Sequence, residues 1–221
     1  AESQFDIATS DFAANLKIER LAPRVLATVA SRILVEEDGA EWISVVDYQV
    51  TDGSFDKIEL RITDTIMPPV QIAGDGIYRR DVRREGADQM WTIQLDEPHW
   101  SSYRLVLRAR VDVGQGSTLP VPAVHPVRVA DIQRYLLALN ATEDKYEIRG
   151  VENQRSVPSD GFSKWFSEPV PKNALGAFEL REPVGKIELH RVQPAQAMAP
   201  QSAMLERHRA WLRPAGAIVA L

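Results

Sequence analysis

The sequence predicts an all-β protein, an antiparallel β-sandwich or a larger sandwich-like stack of two sheets with little helix. Apolar and polar residues alternate with period two along most of the chain, the signature of strands with one face buried. Short clusters of Gly, Pro, Asp and Asn break that alternation at close intervals, as turns between strands do. Two runs, Val25 to Val35 and Tyr103 to Val113, keep the alternation long enough to anchor a sheet.

The first long run places Val25, Ala27, Val29, Ser31, Ile33 and Val35 on one face and reads as a half-buried strand. The polar turn Glu36-Glu37-Asp38-Gly39 leads into Trp42, Ser44, Val46, Tyr48 and Val50, which completes a hairpin. Thr51-Asp52-Gly53-Ser54 turns the chain into Ile58, Leu60 and Ile62, and Met67-Pro68-Pro69 breaks that strand. Gly74-Asp75-Gly76 is a further turn, followed by an arm carrying Arg79, Arg80, Arg83 and Arg84 and by a strand with Trp91, Ile93 and Leu95. After the Tyr103 to Val113 strand, Leu119-Pro120-Val121-Pro122 cannot donate a full ladder of hydrogen bonds, so the chain is expected to switch sheets there. Tyr135, Leu137 and Leu139 return to spacing two, and the polar stretch Asn140 to Asp144 is the best internal boundary. It divides a β-sandwich domain, 1–140, from a further β-rich segment, 141–221, that can belong to the same domain. Between Ser156 and Gly176 the alternation lapses around Phe162, Trp165 and Phe166, which reads as a long connection or a short helical turn. Phe178 to Leu180 and Ile187 to Leu189 restore strand character, and Ala203 to Leu212, where Met204, His208 and Trp211 would also suit one helical face, is read as a strand entering a terminal hairpin. The start at Ala1 and the apolar end Ile218-Val219-Ala220-Leu221 are expected to mark a region of a larger protein, truncated at its C-terminal end.

With 221 residues, 44% of them hydrophobic and 26% charged, the chain has enough apolar material for a core without staples. The net charge of −5 gives no basic footprint for nucleic acid, so no nucleic-acid partner is expected. The four arginines of the arm are interrupted by Asp81 and followed by Glu85, and they read as a solvated hairpin rather than a polyanion contact. No apolar run reaches the roughly 18 residues of a membrane helix.

Zero cysteines excludes disulfides, thiolate metal sites and cysteine nucleophiles. The four histidines, His99, His125, His190 and His208, lie far apart and form no ligand pair, so no metal is predicted. Nucleophile elbows, phosphate loops and dinucleotide fingerprints are absent, and neither a catalytic residue nor a cofactor is predicted. The acidic group Glu36, Glu37, Asp38 and Glu41 only partly matches a calcium loop and reads as a charged hairpin tip. Among the aromatic residues, Trp42, Tyr48, Trp91 and Tyr103 sit within strand alternation and fill the space between sheets. Trp100 and Trp165 lie in connections, where ligand contacts concentrate, and are the candidate binding residues.

The order of a long hairpin, a strand from Ile58 ending at Pro69, the polar arm, Trp91-Thr92-Ile93-Gln94-Leu95, the Tyr103 to Val113 strand and Leu119-Pro120 resembles a known arrangement. It is similar to the extracytoplasmic β-sandwich regions of large, uncharacterised bacterial envelope proteins, over roughly half of the chain. The resemblance implies a location in the periplasm or at the cell surface and a scaffold or interaction role. It brings no established active site, and it implies that this chain is the part of such a protein lying outside its membrane helices.

Two functions follow as expectations. The first is a noncatalytic structural or protein-interaction module whose partners are other domains of a larger parent or other envelope proteins, with strand addition by an inhibitor or assembly factor as a variant. The second is a carbohydrate-binding or carbohydrate-processing domain, motivated by Trp100, Trp165 and the many carboxylates.

Overall fold

The computed structural model describes residues 23–63, 67–112, 117–166, 174–181 and 186–192. The terminal hairpin expected around Ala203 to Leu212 and the apolar end at Ile218 to Leu221 lie outside these residues. Among the described residues, strands dominate and the helical content is a 3₁₀ turn, Ser159–Lys164.

The long first strand, β1 (Arg24–Glu36), pairs with β2 (Gly39–Asp52) through the predicted hairpin, and β2 pairs in turn with β7 (Ser102–Val111). The other edge of β1 takes β10 (Asp131–Asn140), and this pair is parallel, from Leu26 opposite Asp131 to Val35 opposite Asn140. With β4 (Met67–Ala73) at one end and β13 (Ala174–Leu180) and β12 (Arg155–Ser156) at the other, a seven-stranded sheet runs β12-β13-β10-β1-β2-β7-β4. A four-stranded sheet contains β5 (Ile77–Glu85), β6 (Asp88–His99), β3 (Phe55–Thr63) and β9 (Val124–Val127), in that order. A three-stranded sheet contains β11 (Tyr146–Arg149), β14 (Glu188–Arg191) and β8 (Thr118–Pro120).

Apolar side chains from all three sheets share one core. Val29, Ile33, Trp42, Leu105 and Leu107 of the large sheet pack with Leu60, Ile62 and Ile93 of the four-stranded sheet and Leu119 and Leu189 of the three-stranded one. This is the sandwich that the alternation predicts, with one layer divided into two sheets. The prolines fall where ladder bonding is dispensable. Pro68 and Pro69 lie in edge strand β4 at a register shift between Met67 and Gln71, and Pro120 ends edge strand β8. The expected sheet switch at Leu119 to Pro122 is real: the chain leaves the large sheet after β7, passes through β8 and β9 in the two small sheets, and returns as β10.

One expectation changes. The sequence reads β1 as half-buried, yet both faces are covered at its centre, where Ala30 and Arg32 are as inaccessible as Val29 and Ile33. The cause is a second core on the outer face of the large sheet. Phe162 and Phe166, delivered by the 3₁₀ turn, cover Ala30, Ile43, Val45, Leu137 and Leu139. Beyond Asn140 the chain contributes β13 to the large sheet through β10, and β14 to the three-stranded sheet through β8.

Candidate functional site

Where β2 turns into β3, the layers of the sandwich part and leave an open cleft of about 830 Å³. Gly53 makes this turn at φ +68°, a left-handed conformation that disfavours other residues, and a Cβ there would sit 3.2 Å from Pro23. The inner wall is apolar and aromatic, with Val25 and Tyr48 from the large sheet facing Phe55 and Ile58 of β3. The rings of Tyr48 and Phe55 lie 5.7 Å apart, and Phe55 meets Tyr103 edge-on at 6.1 Å. Trp100, in the connection between β6 and β7, lines the mouth and is 70% exposed.

The polar rim comes from β3 and the segment after β9. Both oxygens of Glu59 are occupied, Oε1 by Lys57 Nζ at 2.7 Å and Oε2 by Arg128 Nε at 3.2 Å. The hydrogen bond from Lys57, with further attraction from Lys57 and Arg128, holds the Glu59 carboxyl below its ordinary range against the opposing cost of burial. Glu59 is thus an ionised anchor for cations and a poor proton donor. Arg128 has φ +61°, the one positive value at a non-glycine residue among those described. Such a conformation costs about 1 kcal/mol or more, and strained backbone of this kind gathers at sites that use it.

Tyr48 adds an unmet requirement. It is 4% exposed, and its hydroxyl makes no hydrogen bond. Burial first, and the nearby Tyr103 second, push its ionisation far above the ordinary phenol range, so the enclosed phenol stays neutral. An exposed aromatic face and a fixed ionic rim suit a ligand with one apolar and one hydrogen-bonding side.

The second predicted binding residue lies elsewhere. Trp165 follows the 3₁₀ turn on the outer face of the large sheet, tilted against Tyr135 at 4.9 Å and edge-on to Phe162 at 5.5 Å. The Lys164 ammonium lies 3.9 Å above the Trp165 ring. It borders a shallow groove of about 260 Å³ with Thr28, Asp47 and Arg104. Trp100 and Trp165 therefore serve opposite faces of the sheet and share no cleft.

The remaining chemistry-bearing residues stay dispersed. His99 packs edge-on against Tyr103, His125 lies 3.5 Å from Arg134, and His190 contacts Glu188 at 3.1 Å. His208 is outside the described residues. In the acidic hairpin tip, Asp38 and Glu36 pair with Arg110, and Glu41 pairs with Arg32. Among the described residues no group of three His, Asp or Glu could hold a metal ion. None of their helices is long and apolar enough to cross a membrane.

Two residues of the cleft escape sequence reasoning. Tyr48 reads as a filler between sheets, which it also is; its missing hydrogen bond is a tertiary property. Nothing in the neighbourhood of Arg128 signals a left-handed backbone.

No protein-family model matches the chain, and no curated protein matches it. Solved structures give partial superpositions. A non-cellulosomal cohesin from the archaeon Archaeoglobus fulgidus aligns at 13% identity over 52% of this chain and 91% of its own, with a TM-score of 0.32. An M1 zinc metallopeptidase from Deinococcus radiodurans aligns at 11% identity over 76% of this chain, with a TM-score of 0.44. The leukotriene A4 hydrolase of Saccharomyces cerevisiae aligns at 11% identity over 76%, with a TM-score of 0.40. The chain spans 42% of that peptidase and 29% of that hydrolase. At these values the likenesses assign neither a site nor an activity.

Proposed function

We propose that this chain is a noncatalytic protein-interaction module of a bacterial cell-envelope protein, working in the periplasm or at the cell surface. In this reading the described parts of 1–140 and 141–221 act as one folded unit, because β13 completes the sheet begun by β1 and β10. The observation that carries the proposal is β5, a strand of nine residues at the end of its sheet, with every side chain after Ile77 exposed. Its outer backbone edge is unpaired among the described residues, and an uncovered edge is where another chain adds a strand. The envelope location is supported by the resemblance of the hairpin, proline break and arm to extracytoplasmic sandwich regions. The test is chromatography and crosslinking of the chain with the other regions of its parent protein. Association supports the module, and indifference to all of them rejects it.

A second reading, carbohydrate recognition, is favoured by the Trp100 cleft. A pyranose would stack its C–H face on the exposed indole and offer hydroxyls to the charged rim of Lys57, Glu59 and Arg128. A glycan array separates the two readings: binding that disappears in Trp100→Ala but survives in Trp165→Ala places a sugar in the cleft, whereas a blank array removes this reading.

A further inference from the structure

Edge strands are normally blunted by shortness, proline or bulges, and most edges of this protein follow that rule. β8, β9, β11 and β12 have between two and four residues, and β4 carries Pro68 and Pro69 at a register shift. β5 is the long one among the described residues: nine residues, free of proline, with a register shift confined to its start between Ile77 and Arg79 and regular pairing from Arg79 to Glu85. What guards it is charge. Arg79, Arg80, Arg83 and Arg84 outnumber Asp81 and Glu85, so this edge is positive on a chain whose formal net charge is −5.

The two faces of β5 differ in composition. On one, Arg79 reaches Asp81 at 2.8 Å and Arg83 reaches Glu85 at 2.7 Å, so cation and anion alternate and neutralise each other. On the other, Arg80 and Arg84 flank Val82. Val82 lies opposite the half-buried Trp91 and is itself 54% exposed. The apolar ladder that leaves the core through Trp91 and Val82 thus ends in solvent between two guanidinium groups.

We infer that β5 is a docking edge for an extended acidic segment of a partner protein, added as a strand beside it with an apolar residue opposite Val82 and carboxylates facing Arg80 and Arg84. This rests on the interaction-module reading and names the partner's chemistry. Carboxylates opposite arginines form charge-assisted hydrogen bonds, while the partner's backbone takes up the open ladder.

The experiment uses the whole chain and a capped synthetic peptide, Thr-Asp-Thr-Val-Thr-Asp-Thr, with two controls: Lys in place of Asp, and the acidic peptide N-methylated at alternate amides. The acidic peptide is expected to bind at least tenfold more tightly than the lysine peptide and to slow amide exchange across 77–85. Arg80→Glu with Arg84→Glu, both exposed and outside any core, is expected to invert the preference, and N-methylation to abolish binding. Equal binding of both peptides, binding that survives N-methylation, protection elsewhere, or dimerisation of the chain through β5 would each overturn the inference. Regions of the parent that bind without protecting 77–85 leave the interaction module standing and reject this edge as its site. Failure of every parent region removes the module reading, while the peptide result still decides whether β5 takes an acidic strand.

Discussion

β1 and β5 are both strands that enter a tight hairpin, yet one is enclosed on every side and the other on almost none. β1 has hydrogen-bonded neighbours along both edges and apolar layers over both faces. β5 has β6 on one edge and solvent around nearly all its side chains. The contrast is written into the residues. β1 is mostly apolar in both registers around Ser31 and Arg32, with Val29, Ile33 and Val35 in one and Ala30 and Leu34 in the other, whereas β5 carries two arginines in each. Alternation alone therefore identifies a strand; what occupies the weaker register says whether a second layer covers it.

The largest expected effect comes from opening the enclosed strand. Ile33→Ala removes a fully buried side chain from the shared core and should cost about 2–5 kcal/mol in urea unfolding. A cost near that of a surface position would mean that the layers above β1 do not close. Arg32 probes its other face. The guanidinium is buried, 2.7 Å from Glu41 Oε2 and 5.5 Å from the Phe166 ring centre. Because Glu41 keeps part of its hydration, Arg32→Ala should cost less than loss of a wholly buried pair, about 1–3 kcal/mol. An unchanged midpoint would separate the outer cap from the stability of the sheet.

Tyr48→Phe should move stability the other way. It removes a buried hydroxyl without a partner and is expected to stabilise by roughly 1 kcal/mol. It should also blunt alkaline unfolding. Burial pushes Tyr103 up to about 12 and Tyr48 higher still, while an unfolded tyrosine ionises near ~10. With folded values above unfolded ones, their contribution is intact below pH ~10 and is lost as pH rises toward 12. Replacing Tyr48 should flatten that decline by up to ~1.4 kcal/mol per pH unit, as one proton requires. A slope identical to that of the parent chain would show the Tyr48 hydroxyl to be solvated. The smallest effect belongs to β5: Val82→Ala should shift stability by no more than about 0.5 kcal/mol, and a larger change would mean that β5 is already covered.

Most of the strands were legible because alternation and turn chemistry are local. The double burial was signalled less openly, by the continuous run Leu136-Leu137-Ala138-Leu139, which leaves no polar face for solvent. The parallel partnership of β10 with β1 was not legible, since period-two patterning names a face and never a neighbour. Of the cleft, Trp100 was visible as an aromatic residue in a connection. Tyr48 and Arg128 became part of it only through contacts made across the fold, a hydroxyl left without a partner in one case and a backbone held left-handed beside Glu59 in the other.

That parallel pair also dictates an order of assembly. β1 and β2 can meet at once, and β7 can join them, but β10 is synthesised only after every strand from β2 to β9. Until it arrives, β1 offers an apolar edge that lacks both the prolines of β4 and the arginines of β5. Pairings this distant in sequence close slowly and leave partly formed sheets exposed to association. The strand best protected in the finished protein is thus the one most in need of a chaperone while the chain is still growing.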